Sequence, residues 1–286
     1  MKNFDHNRFA LLLKHDIIQH SRTYLRFALG SFVAFFIINF LLTYNSALLQ
    51  PKADIAAAAN WDLNNVSDFS TFIMVLLIIV SVSSIFGNMN TKQERIRFLM
   101  LPATNLEKYL CRWLQFSVLS VILIVATYCL ADVACWLLRT MMGQGLGLSM
   151  PRFFSGTTRA LFFHADWTEA AGTTYEFNPV GLIMLIAFLS TYHLGGAFFR
   201  RVPFIFTTLA IIASGIALTI VMTTLATIVF DATNINAFFD MLDKSSAVLA
   251  FVIFYVLPIA WAALCHWSAY RMFRRANVIT HKTIGL

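Results

Sequence analysis

The residues that could do chemistry in this 286-residue chain are few and far apart. Asp132 is the only acid set at depth in an apolar stretch, and His193 is the only histidine so placed. His6, His15, His20, His266 and His281 sit in or beside basic segments, and His164 sits in a polar one. A lone acid and a lone histidine can hold a proton or a hydrogen bond. They do not make the paired groups that general acid–base catalysis or proton-coupled transport uses. Asp132 stands near one end of its stretch, where solvent is expected to reach it. His193 reads as a polar residue bonded inside a helical bundle.

Cys111, Cys129, Cys135 and Cys265 lie in or beside apolar stretches, not as spaced pairs. That is the pattern of small buried residues, with no legible disulfide framework or metal knot. No Gly-x-x-x-x-Gly-Lys-Ser/Thr loop cradles phosphates. No His-Glu-x-x-His zinc helix, Gly-x-Ser-x-Gly nucleophile turn or Asp-rich calcium loop occurs. The expectation is a non-enzymatic chain that needs no metal or cofactor and does not itself hydrolyse ATP.

The elements that carry these residues are apolar and long. The chain is 59% hydrophobic and 12% charged, too apolar for a soluble domain of this size. Six stretches, 27–44, 69–89, 113–134, 180–199, 204–230 and 247–270, each approach the ~20 residues a helix needs to cross the hydrocarbon layer. Charge sorts between the connections. Residues 1–26, 90–112, 200–203 and 271–286 hold 16 of the 21 Lys and Arg, whereas the alternate segments, counted with Asp132 near the end of the third stretch, hold 10 of the 14 acids. Cytoplasmic loops keep Lys and Arg. The sequence therefore predicts an all-α polytopic membrane protein: one transmembrane domain over 1–286, six spans, both termini inside. The net charge of +7 is a topology signal, and nucleic acid is not an expected partner because no soluble basic domain exists to bind it.

Residues 1–26 carry both charge signs, and no Ala-x-Ala-like site follows, so the first span is expected to be retained. Within them Phe9, Leu12, Leu13, Ile17 and Tyr24 recur at helical spacing, apart from Arg8, Lys14, His15 and Arg22. This predicts an amphipathic helix in the membrane interface with that face in lipid. Among the outer segments, 45–70 reads as partly helical. Residues 139–178 open on a turn at Gly143, Gly145 and Gly147, followed by a short helix near 153–163 that caps the bundle or lies on the outer leaflet. Residues 231–246 suggest a short re-entrant or interfacial helix. In the fifth span Gly215, Thr219, Thr223 and Thr227 repeat at i+4, which makes a stripe either for close helix packing or for lining a substrate path. Pro258 should disturb the sixth span.

The loop 90–108 is the densest segment. Thr104-Asn-Leu-Glu107 fits a capping box, so a helix should start there and run into the third span. Pro102 disfavours helix at Leu101. Ahead of that turn, Arg95 and Arg97 flank Ile96, and Phe98, Leu99, Met100 and Leu101 are all apolar. Two readings stand side by side: these residues dip into the inner leaflet, or they dock a partner.

Three motifs carry a resemblance: Phe98-Leu-Met-Leu-Pro-Ala-Thr-Asn-Leu-Glu-Lys-Tyr-Leu, Leu194-Gly-Gly-Ala-Phe-Phe-Arg-Arg-Val-Pro-Phe and Tyr270-Arg-Met-Phe-Arg-Arg-Ala-Asn-Val-Ile. With the six-span layout they resemble the permease subunits of type-2 ABC exporters, in a form common in the Bacteroidetes. The resemblance implies a non-catalytic subunit of the bacterial inner membrane, in contact with lipid, paired with a second permease chain and coupled to a separate ATP-binding subunit. It implies that Arg95, Arg97, Phe98, Leu99, Met100, Leu101, Pro102, Glu107 and Lys108 belong to the coupling segment. The segment 139–178 is longer than that family's outer loops. The competing reading is a stand-alone membrane scaffold or receptor-like protein without transport activity.

The charge sorting generates a first prediction. With the native cysteines replaced, a cysteine at position 152 should react with a membrane-impermeant thiol reagent in intact cells, and one at position 97 should not. The reverse pattern would invert the topology.

Overall fold

The structure is a computed structural model that describes residues 5–49, 55–87, 92–142, 147–168, 172–199, 202–229 and 251–275. The chain packs as two compact units. The first holds residues up to Ile85 together with Leu101–Gly181; the second holds Phe86–Met100 and everything from Leu182 onward. Apart from one short hairpin, the described regular structure is helical.

In the first unit, α1 (His6–Gln19) starts at Asp5, whose side chain accepts the Asn7 N–H. It leads into α2 (Ser21–Leu49), and α3 (Ile55–Ser83) follows. The helix α5 (Asn105–Trp113) continues through a wide π turn, Leu114–Leu119, into α6 (Ser120–Met141). The Phe116 carbonyl in that turn accepts hydroxyls from Ser120 at 2.5 Å and from Ser81 of α3 at 3.4 Å. The helices α2, α3 and α6 pack against one another, and α7 (Met150–Phe162) packs on α3. An antiparallel hairpin, β1 (Phe163–Thr168) with β2 (Gly172–Phe177), pairs Phe163 with Phe177. This hairpin departs from the purely helical expectation. Gly172 and the β-branched Thr168, Thr173 and Thr174 suit paired strands better than a further helical turn.

The second unit contains α4 (Lys92–Leu99), α8 (Val180–Phe198), α9 (Pro203–Val229), a π turn at Val252–Val256 and α10 (Leu257–Arg274). Val180 and Gly181, the first residues of α8, belong to the first unit. Pro258 sits in the first turn of α10, directly after the π turn. The ring would clash with a carbonyl one turn back, and widening the backbone relieves that. Gly195 of α8 lies against Thr207 of α9 so closely that a Cβ would overlap the threonine side chain. Beside this contact the two helices line an apolar cleft of about 350 Å³.

Six helices are long and apolar enough to cross a membrane: Ser21–Thr43, Leu63–Ser83, Asn105–Met141, Val180–Phe198, Pro203–Thr224 and Val252–Arg274. Each overlaps one of the six expected stretches, so the chain is built as a multi-pass membrane protein. Segments 143–146 and 230–250, which include Gly143 and Gly145 of the expected turn and the last outer loop, lie outside the described residues, as do Arg200 and Arg201.

The α8–α9 contact yields a prediction on neighbouring glycines of opposite character. Gly195→Leu should cost about 1–3 kcal/mol by overpacking and lower the melting temperature of the detergent-solubilised protein. Gly215→Leu, which meets open space, should leave it within error. Equal melting of both variants would contradict the packing at Gly195.

Candidate functional site

The coupling segment begins on a well-fixed helix start. Thr104 Oγ1 accepts the Glu107 N–H at 3.3 Å, and Glu107 Oε2 accepts the Thr104 N–H at 2.8 Å, closing the expected capping box. The second carboxylate oxygen reaches across to α1: Glu107 Oε1 accepts the Asp5 N–H at 3.0 Å and Arg8 Nη2 at 3.2 Å. One turn and a half further along α5, Arg112 Nη2 donates to Asp16 Oδ1 at 2.9 Å. The same oxygen lies 3.3 Å from His20 Nδ1, whose ring also bonds the Asp16 carbonyl. Two charge-assisted links thus tie the first and last turns of α1 to α5. Because Glu107, Asp16 and Arg112 are buried, these links are screened far less than surface pairs.

This geometry corrects part of the sequence expectation. Glu107 is 0% exposed, and Lys108 is buried as well. Neither faces outward as a docking charge; Glu107 is occupied by its own cap and by α1. Phe98 is also inside. It is 6% exposed and meets Phe273 edge-on at 6.2 Å, and Phe273 stacks on Phe86 at 5.7 Å. An aromatic ring has more to gain in that cluster than at an aqueous surface. Arg97 and Pro102 are exposed, Leu101 is half-buried, and Met100 is 77% exposed. Arg95 and Leu99 lie in α4, but their side chains fall outside the described ones. The segment divides between the two units at Met100 and Leu101.

The apolar face of α1 holds the expected residues, with Leu12 buried and Phe9, Leu13, Ile17 and, early in α2, Tyr24 half-buried, but Leu12 and Asp16 meet protein rather than lipid; Leu11 and Ile18, off that face, are 67% and 63% exposed. Asp16 must meet Arg112, and that rotation carries Leu12 inward onto protein.

The small-residue stripe of α9 faces away from the rest of its unit. Gly215, Thr219 and Thr223 are exposed. The hydroxyl of Thr219 donates to the Gly215 carbonyl and that of Thr223 to the Thr219 carbonyl, each at 2.9 Å. The stripe therefore presents methyl groups and backbone more than hydrogen-bonding capacity. Thr227 belongs to α9, but its side chain is outside the described ones.

Three polar groups escaped or exceeded the sequence reading. Asp132, expected to meet solvent, is fully buried. It accepts the Ser149 Oγ–H at 2.6 Å, the Ser149 N–H at 3.3 Å and the Met150 N–H at 2.9 Å, capping α7 from α6. Arg139 stands 3.8 Å from it; a signal was present, since Asp132 and Arg139 are spaced i, i+7 on one helix face. His193 is buried with its ring 4.8 Å from that of His266, and His266 Nε2 lies 3.1 Å from Ser190 Oγ. His193 is thus inside the bundle, as expected, in contact with a ring; the partner His266, read as a boundary residue, was not expected. Among the described residues no cluster of three or more His, Cys, Asp or Glu side chains converges.

No protein-family model, curated protein or solved structure matches this chain.

The clasp predicts an asymmetric mutational response. Asp16→Asn should destabilise by about 3–5 kcal/mol, because it removes the carboxylate to which the buried Arg112 donates. Asp16→Leu with Arg112→Met should recover most of that loss, since an apolar pair has no desolvation cost. Thermal melting of the wild type, Asp16→Leu, Arg112→Met and the double variant, with Asp16→Asn beside them, checks this; additive losses in the four-protein cycle would argue against a direct pair.

Proposed function

We propose that this chain is the non-catalytic permease subunit of an ABC exporter of the bacterial inner membrane. In this reading both termini and the loop 90–108 are cytoplasmic, and α1 lies at the inner interface. A separate ATP-binding subunit docks at that loop, and a second permease chain, identical or related, completes the transport path.

The observation that carries the proposal is an exposed methionine and arginine directly ahead of a rigidly held helix. Met100 and Arg97 stand open. The chain then turns at Pro102 and enters α5, which one buried and one partly buried ionic link fix to α1. A docking point that must transmit force needs such a stiff exit, because a loop that yields would absorb the displacement. The basic character of this loop and of the tail supports a cytoplasmic position. The motif resemblance supplies the identity of the partner. The buried residues take other roles in this reading: Phe98 anchors α4 from within, and Glu107 and Lys108 hold the base of α5.

Affinity purification in mild detergent tests the proposal. The wild-type chain should bring down an ATPase carrying a phosphate loop. Arg97→Glu with Met100→Asp should lose it at equal permease abundance. Burying one methionine is worth about 1.5–3 kcal/mol, roughly a ten- to hundredfold change in affinity. Copurification of the ATPase at unchanged yield would remove this loop as the docking site. Absence of any ATPase from the wild-type preparation would favour the stand-alone scaffold.

A further inference from the structure

The first unit contains a continuous run of buried polar groups that the transport proposal does not use. Asn39 of α2 accepts the Ser70 hydroxyl of α3 at 3.0 Å. Tyr128 of α6 bonds both Ser70 and, at 3.0 Å, Ser149. Ser149 gives its hydroxyl hydrogen to Asp132, beside Arg139. All six residues are buried to within 1% of complete. They join α2, α3 and α6 to the first residues of α7.

The two ends of α7 are attached in different ways. At its C-terminal end the backbone is fixed. The Asn178 N–H donates to the Phe162 carbonyl at 2.7 Å, and Gly181 abuts the Ala160 carbonyl so closely that no other residue would fit. At its N-terminal end no local side chain caps the helix; the cap is the carboxylate of Asp132, reaching over from α6. Beyond that, Phe153 rests on the Tyr128 ring at 4.4 Å, and Arg152 meets Asn64 at 3.3 Å in an exposed position. The C-terminal end is held through backbone, and the N-terminal end by the Asp132 carboxylate together with the Phe153 and Arg152 contacts.

The closed arrangement is also incompletely satisfied. Nη1 and Nη2 of Arg139 and Nδ2 of Asn39 are buried and make no hydrogen bond among the described residues. Donors left in that state oppose closure, because water would satisfy them if admitted. Of these donors only those of Arg139 stand at the joint with the latch; Asn39 lies at the far end of the run, between α2 and α3.

We propose that α7 is a hinged lid, latched at its N-terminal end by Asp132, whose release opens the polar run Asn39–Ser70–Tyr128 to water. The inference does not depend on the ATP-binding partner or on which side of the membrane α7 occupies. Charge on Asp132 is what holds the latch, since the carboxylate accepts three donors at the start of α7, two from Ser149 and one from Met150, and stands beside Arg139. Asp132→Asn keeps the shape and loses the charge.

The experiment uses the full chain in lipid nanodiscs, where both faces are open to reagent. The four native cysteines are replaced, and Ser70→Cys, a near-isosteric change, reports access by reaction with a charged thiol reagent. With Asp132 intact the reporter should stay protected. With Asp132→Asn its labelling rate should rise at least tenfold, and amide hydrogen exchange in 150–162 should accelerate while exchange in 105–113 stays unchanged. A reporter that labels equally fast with and without Asp132 would overturn the lid. So would acceleration spread evenly over 150–162 and 105–113, which would make Asp132 a general support of the fold. Ser149→Ala, which removes one of the three bonds and leaves the charge, should give an intermediate rate; no change in it would overturn the assignment of the latch to this contact.

Discussion

A charge in hydrocarbon has no water to answer it, so it must find its partner within the protein. That constraint organises the first unit. The helix formed by α5, the π turn and α6 runs over 37 residues, about 55 Å at 1.5 Å per residue and well beyond a hydrocarbon layer of about 30 Å. Its buried charges are confined to its two ends. Glu107, Lys108 and Arg112 stand at one end, Asp132 and Arg139 at the other. Arg112 and Asp132 are separated by about 30 Å of helix, so the charges bracket an apolar middle of membrane thickness. Each cluster then recruits a short helix that the hydrophobic effect alone would not place: α1 through Asp16 and Arg8, α7 through its own N-terminal N–H groups.

The second unit meets the same solvent with few charges. Leu209, Ile212, Ile216, Leu218 and Ile220 of α9 are all largely exposed, as suits side chains facing lipid tails as apolar as themselves. What holds α8 to α9 is shape, through Gly195 against Thr207. The hydroxyls of Thr207 and Thr208 are returned to carbonyls of their own helix, and Tyr192 adds a bond from α8 to Thr208 at 3.2 Å. Such packing tolerates displacement more readily than the ionic joints of the first unit, because no buried charge is stranded when the helices shift.

The periodicity that made the sequence legible was hydrophobic. All six spans, the capping box at Thr104 and Glu107, the helix near residue 153 and the disturbance at Pro258 follow from local rules acting within a few residues. The site was less legible because its decisive contacts join residues about a hundred positions apart. Nothing near Glu107 indicates that Arg8 will reach it, so an acid in a basic loop reads as a surface charge. Nothing near Phe98 indicates Phe273, so an aromatic residue beside a turn reads as exposed. Asp132 was misread for a nearer reason: its partners Ser149 and Met150 lie just beyond a glycine-rich break in the chain. The hairpin was hidden because Phe163–Phe177 lacks the clean alternation that marks a strand pair.

The α1–α5 joint shows why ions are used where apolar contacts would suffice for stability. Buried ion pairs are often no more stabilising than well-packed apolar residues of the same volume. The helix α1, however, carries Leu11, Leu12 and Leu13 in succession, then Ile17 and Ile18. Successive residues lie about 100° apart around a helix, so these five offer more than one apolar face to any groove. Hydrophobic burial scales with area and is indifferent to which face supplies it. Asp16 and Arg8 flank Leu12 on the face that is buried, and only one rotation brings them to Arg112 and Glu107 together. A slip by one residue would bury Leu11 or Leu13 equally well and break both the Arg8–Glu107 and the Asp16–Arg112 links. The ionic links therefore act chiefly on register: they remove alternatives that the leucines alone would leave nearly equal.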